Sequence, residues 1–179
     1  MATPTTLPAS FVSGAVLQAA QLNNLRGAFR VLQVVSTTKT DTFSASLAAG
    51  ASADITGLTA TITPSATSSL VLVVASVGKG TYGGIVLKRG ATEIGIATAV
   101  SNRNALSAVN VGASNNYPTS QTMIFLDSPA TTSATTYTVA LHSAETTTQT
   151  AYCNRSDTDT DSGATSRTAS TITVMEISA

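Results

Sequence analysis

The stretch Ala53–Gly78, ADITGLTATITPSATSSLVLVVASVG, limits the possible folds more than any other part of the chain. Two runs rich in Ile, Val, Leu and Thr flank a Pro-Ser-rich break. β-Branched side chains fit a pleated surface, and Pro64 has no N–H to give to a ladder, so it ends the first run. Ser65 to Ser69 then turn the chain through short polar side chains that bond their own backbone. The pattern predicts strand, turn, strand. It returns at LDSPATTSATTYTVAL, with Pro129 in the place of Pro64.

The same alternation predicts strands over residues 30–37, 42–47, 53–63, 69–78, 84–89, 93–99, 105–111, 122–126, 135–142, 150–154 and 170–177. In LKRGATEIGI, Gly90 sits between two alternating runs and marks a hairpin. In STITVMEI, Ile172 and Val174 are expected to face the core, with Ile177 joining them if the alternation shifts after Met175. Many short strands at this spacing predict an all-β, antiparallel β-sandwich or barrel rather than alternating β/α units. We favour a jelly-roll-like sandwich over residues 30–179.

Residues 1–29 have a different character. Met1 to Ser13 holds Pro4 and Pro8, lacks an apolar period, and reads as an extended arm. Beyond it, Leu17, Leu22, Leu25 and Phe29 recur near helical spacing, and Gly27 is a fitting stop, so a short helix is expected over about residues 17 to 27. Three turns are marginal alone in water. The apolar stripe is therefore expected to pack on the sheet or to anchor the chain to a partner, making 1–29 an attachment segment.

Charge narrows the function. Only 10% of the 179 residues are charged, while Ser and Thr together make up roughly 30%. Nine basic and nine acidic residues cancel. No net field draws the chain to nucleic acid or to an anionic membrane, and the longest apolar run falls far short of the roughly 20 residues of a spanning helix. Neither partner is expected. The N-terminus has no positive charge ahead of an apolar run and does not read as a secretory signal. A mean hydropathy of +0.23 with so little charge hints that part of the apparent surface is covered by another subunit.

Catalytic groups are scarce. His142 is the sole histidine and is expected as a partly exposed residue at a strand end; Cys153, the sole cysteine, is expected partly buried in a strand. No nucleophile elbow, zinc-binding pair, phosphate loop or paired-cysteine motif occurs, and GKGTYGG reads as a glycine-rich turn. No enzyme activity and no cofactor are expected. Asp157, Asp159 and Asp161 in DTDTDSG resemble the opening of a calcium loop, but Ser162 stands where such a loop wants glycine and Thr168 where a Glu should close it. They are a weak metal candidate and otherwise a solvated acidic loop. Asn154-Arg155-Ser156 fits a glycosylation sequon that carries no weight without a secretory route. Tyr82 and Tyr117 are the candidates for stacking on a sugar ring.

The segments SGAVLQAAQLNNLRGAFRVLQVV, ITGLTATITPSATSSLVLVV, FLDSPATTSATTYTVAL and ASTITVMEI together give the chain the look of a family. It resembles the small β-rich, tail-fibre-like virion structural proteins of tailed bacteriophages, particularly those infecting aquatic bacteria. The likeness spans most of the chain and is one of fold grammar, with no catalytic residues to carry over. It implies a homotrimeric, protease-resistant module in the virion, joined to other tail or capsid proteins by its N-terminal arm and helix. A capsid decoration or head-fibre protein, and a module binding a host surface glycan, are the alternatives. Scarce Lys and Arg, which leave few trypsin sites, agree with it.

Overall fold

The computed structural model describes residues 14, 16, 31–80, 83–110 and 116–178. The predicted arm and helix, with Leu17, Leu22, Leu25 and Phe29, lie outside these residues, as does Tyr82.

Every described element is a strand: β1 (Val31–Lys39), β2 (Phe43–Leu47), β3 (Ser52–Ile62), β4 (Leu70–Lys79), β5 (Gly83–Arg89), β6 (Thr92–Ile94), β7 (Ala108–Asn110), β8 (Thr119–Asp127), β9 (Thr135–His142), β10 (Gln149–Cys153) and β11 (Ser170–Ile177); each overlaps an expected strand, though of the one expected over 93–99 only Glu93 and Ile94 are strand. They form two antiparallel sheets. In the first, β1 pairs β11, β11 pairs β4 and β4 pairs β8, while the β2–β10 pair joins β4 through Cys153 and Lys79. In the second, the order is β3-β9-β5, with β6 and β7 both bonded to the far side of β5. The result is a β-sandwich.

Alternation explains the core. Val71, Val73, Ala75 and Val77 of β4 point inward with Ile172 and Val174 of β11, and meet Ile55, Leu58 and Ile62 of β3, Ile85 and Leu87 of β5, and Val139 and Leu141 of β9. All these side chains are buried. Because a strand's side-chain period is two, a one-residue slip of β4 would turn Val71, Val73, Ala75 and Val77 outward, so burial itself fixes the register.

The two Pro-containing turns do more than reverse the chain. Pro64 to Ser69 carries it from β3 in the second sheet to β4 in the first, and Pro129 to Ala134 carries it from β8 back to β9. Both are arches between layers. The hairpin predicted at Gly90 is present: Gly90 has φ +58°, which glycine adopts without penalty, and joins β5 to β6.

Beneath the first arch lies an unexpected residue. The alternation of β11 does not shift after Met175, so Glu176, not Ile177, takes the inward position, and Ile177 sits on the opposite face. Glu176 is 1% exposed. Its Oε1 accepts hydrogen bonds from the Ser65 amide (2.7 Å), Ser65 Oγ (2.6 Å) and Ser69 Oγ (2.7 Å), and its Oε2 accepts one from Gln33 Nε2 at 2.6 Å. The carboxylate thus ties the arch to β1 and β11. Burial alone would raise its pKa; these donors outweigh that and hold it at about 2.

At the same end of the sandwich, Tyr137 is buried and donates from its hydroxyl to Asp127 Oδ2 at 2.7 Å, while Arg89 Nη1 donates to both oxygens of that carboxylate at 2.8 and 2.9 Å. Burial, followed by the bond to Asp127, pushes the phenol pKa well above its ordinary value.

Candidate interaction surfaces

Three places bring together polar or apolar side chains that the core does not consume. The first is the loop end, where residues 154–169 connect β10 to β11. Asn154 organises it from a left-handed backbone, φ +62°, a conformation that asparagine tolerates better than most residues. Its Nδ2 donates to the carbonyls of Lys39 (2.8 Å) and Asp41 (3.0 Å), and its Oδ1 accepts from Ser170 Oγ at 2.5 Å. Gly78 donates its amide to the same Ser170 hydroxyl at 3.0 Å. A Cβ on Gly78 would collide with Thr168, so this approach needs glycine. Asn154 is fully buried with its amide nitrogen engaged, so the sequon cannot carry a glycan in the folded chain.

Beside this node Lys79 is fully buried. Desolvation lowers its pKa to about 8, against the opposing fields of Asp157, Cys153 and Glu145. Cys153 is also fully buried, deeper than the sequence suggested, and burial raises its thiol pKa.

The three aspartates of DTDTDSG take separate roles. Asp159 faces Arg167 through a two-pronged pair, Nε to Oδ1 at 3.1 Å and Nη2 to Oδ2 at 2.8 Å, with Arg155 Nε 3.7 Å from its Oδ2. The bond from Arg167 holds its carboxyl below the usual range. Arg155 also stacks on the Tyr152 ring, 4.5 Å from its centre, and donates from Nη2 to the Asp157 carbonyl at 3.1 Å. Asp161, Ser162, Thr165 and Arg167 are among the residues that line a polar cleft of about 410 Å³. Among the described residues no three His, Cys, Asp or Glu side chains converge as metal ligands would. Tyr117 is 51% exposed, and the carbonyl of the preceding Asn116 accepts from the amide of Ser166 on the cleft wall at 3.3 Å.

The second place surrounds His142. Contrary to the expectation of a partly exposed strand end, it is buried: β9 runs between β3 and β5, so its end is flanked on both sides. Its Nδ1 lies 2.8 Å from Ser52 Oγ and its Nε2 3.3 Å from Asn104 Oδ1, and desolvation lowers its pKa. Nearby Leu106 and Ala108 help line an apolar hollow of about 440 Å³.

The third place is the outer face of the first sheet. Its pairing aligns outward side chains in rows that cross four strands. One row runs Val34, Met175, Leu72, Leu126; the next runs Ser36, Thr173, Val74, Ile124. Leu70 and Ile177 pair beyond the first row. Val34, Ile124 and Leu126 are 55, 69 and 51% exposed. No outward-facing residue of β1, β11, β4 or β8 is charged. Four hydroxyls of this face bond in pairs across the strands: Ser36 Oγ lies 2.8 Å from Thr173 Oγ1, and Ser76 Oγ 2.9 Å from Ser120 Oγ. The second sheet's outer face is unlike it, for it carries the Lys88–Asp54 ion pair at 2.6 Å and is overlaid at Gly84 by Leu106.

No protein-family model and no curated protein matches the chain. Sequence reasoning missed Glu176, Lys79 and the bare sheet face. The signal for the last lay in β4, where LVLVVASV is apolar in both phases of the strand alternation, the mark of a strand covered on both sides.

Proposed function

We propose that this chain is a bacteriophage virion structural protein: a homotrimeric, tail-fibre-like or tail-attached module anchored by residues 1–29, which catalyses no reaction and acts through contact with neighbouring proteins. The observation that carries this reading is the outer face of β1-β11-β4-β8, which is uncharged and banded with aliphatic side chains. Large apolar patches on soluble proteins mark surfaces that meet other molecules. We take the sandwich further, as a jelly roll, because the orders β1-β11-β4-β8 and β3-β9-β5-β6 nest the chain's ends around its middle in both sheets, the arrangement on which many viral shell domains are built. The likeness to those domains is one of fold alone.

Deletion of residues 1–29 tests the attachment. The truncated chain is expected to stay soluble with a β-type circular dichroism spectrum and to be missing from purified particles. Normal incorporation removes the anchoring role. Copy number against the major capsid protein separates a tail module, at tens of copies or fewer, from capsid decoration or a head fibre, at hundreds.

The polar cleft beside exposed Tyr117 favours one second reading, a host-glycan-binding module. Binding on a glycan array that is lost in Tyr117→Ala supports it; no binding and normal adsorption count against it.

A further inference from the structure

We infer that the outer face of β1-β11-β4-β8 is the surface on which a second copy of this chain packs, with Val34, Leu72, Val74, Ile124, Leu126 and Met175 at its centre. The inference rests on the oligomeric reading above and assigns the surface responsible.

Three features select a protein surface like itself as the occupant. The face is neutral throughout, so two copies meet without like-charge repulsion, whereas a charged partner would find no counter-charge there. The aliphatic band crosses all four strands without interruption along the Val34–Met175–Leu72–Leu126 row, which gives a depleted-charge centre of the kind interfaces have. The polar half is paired in part within itself, since Ser36 bonds Thr173 and Ser76 bonds Ser120 across the strands. Each pair satisfies one of its two O–H donors internally, which lowers the penalty of burying it.

Size separates a second copy from the chain's own N-terminal segment. Four strands about 4.8 Å apart and eight residues long at about 3.4 Å each span a face of about 19 by 27 Å, or about 500 Å². The face and the equal area that it covers on neighbouring copies together reach about 1,000 Å², where specific interfaces begin. An eleven-residue helix such as that expected over 17–27 is about 16 Å long and about 10 Å wide, which covers only about a third of the face.

The test uses the full chain. Light scattering after size exclusion gives the mass of the natural protein, Ile124→Lys and Leu126→Lys, and circular dichroism checks the sandwich; both side chains point away from the core, so the sheets are expected to survive. A second measurement needs no loss of assembly. Cys153 is buried and is expected to react only on unfolding, so Ile124→Cys reports its own surroundings. Its modification is expected to be at least tenfold slower than that of Thr132→Cys on an exposed turn. An oligomer that falls to monomers in the Lys variants, with Ile124→Cys protected, supports the assignment. An oligomer unchanged in the variants, or one that depends only on residues 1–29, overturns it and leaves the oligomeric reading standing, as does modification of Ile124→Cys as fast as the control. A natural protein that is monomeric at high micromolar concentration overturns both.

Discussion

Replacing Glu176 by Gln removes one charge and almost no volume, and it strikes the join between the first arch and the sheets. In the folded chain the carboxyl pKa is about 2 against 4.5 for an unperturbed glutamate. At 1.36 kcal/mol per unit, that difference amounts to about 3 kcal/mol of stability that only the ionised form supplies. The amide cannot recover it by rotation. If its oxygen stays with Ser65 and Ser69, its NH₂ meets Gln33 Nε2, donor against donor. Gln33 cannot turn its own amide without losing the bond from that nitrogen to the Thr63 carbonyl, 2.6 Å long. The expected loss at pH 7 is about 3 kcal/mol, or about 6 to 12 °C in Tm for a chain of this size. Because the folded value lies below the unfolded one, this stabilisation is fully present above pH 4.5 and is lost as the pH falls toward 2. The natural protein and Glu176→Gln should therefore converge over that window. Denaturant unfolding of both at pH 7, 4 and 2.5, at equal chain concentration, measures the gap. A Glu176→Gln protein within about 0.5 kcal/mol of the natural one at pH 7, or a gap independent of pH, would refute this account of the buried carboxylate.

Tyr137→Phe removes the bond to Asp127 but leaves the Arg89 pair in place, so denaturant unfolding should show a loss of about 1.5 to 3 kcal/mol, the range for hydrogen bonds to charged groups. With ¹³C-labelled lysine, one of the three resonances should titrate near pH 8 and be absent from Lys79→Met, because burial favours the neutral amine of Lys79. Three ordinary titrations would show that its surroundings are wetter than its burial implies. Cys153 should react with a maleimide only after denaturation, and rapid labelling of the folded chain would contradict its fully buried position beside Ser170.

The sheet grammar was legible because one physical rule governs most of the chain: alternation with a period of two, stopped by Pro or Gly. Thr135–His142 and Ser170–Ile177 fall where the pattern placed them, and the other strands differ mainly at their ends, except that the strand expected over 93–99 stops at Ile94. Local pattern could not tell which neighbours the strands would take. A Pro-Ser turn looks alike whether it closes a hairpin or bridges two layers, so the arches at Pro64 and Pro129 emerged only from the long-range pairing of β3 with β9 and β4 with β8. Glu176 was misjudged for a related reason. An acidic residue at an inward position looks like a break in register until its donors, Ser65, Ser69 and Gln33, are brought in from distant parts of the chain. His142 looked like a strand end at an edge, but β9 lies inside its sheet.

The polar loop was legible in composition and not in geometry. Alternating aspartates suggested a shared ligand, yet Asp159 is occupied by Arg167, eight residues away, a pairing with no local signature. Conversely, the aliphatic rows of the exposed sheet face combine residues from four separate strands, and the low overall charge with a positive mean hydropathy was their trace in composition.

The central claim is that this sandwich works by packing against copies of itself. Native mass spectrometry of the full chain tests it most directly: the account predicts a species of three times 18.0 kDa that persists on dilution into the low micromolar range, and a population consisting only of 18.0 kDa chains would contradict it.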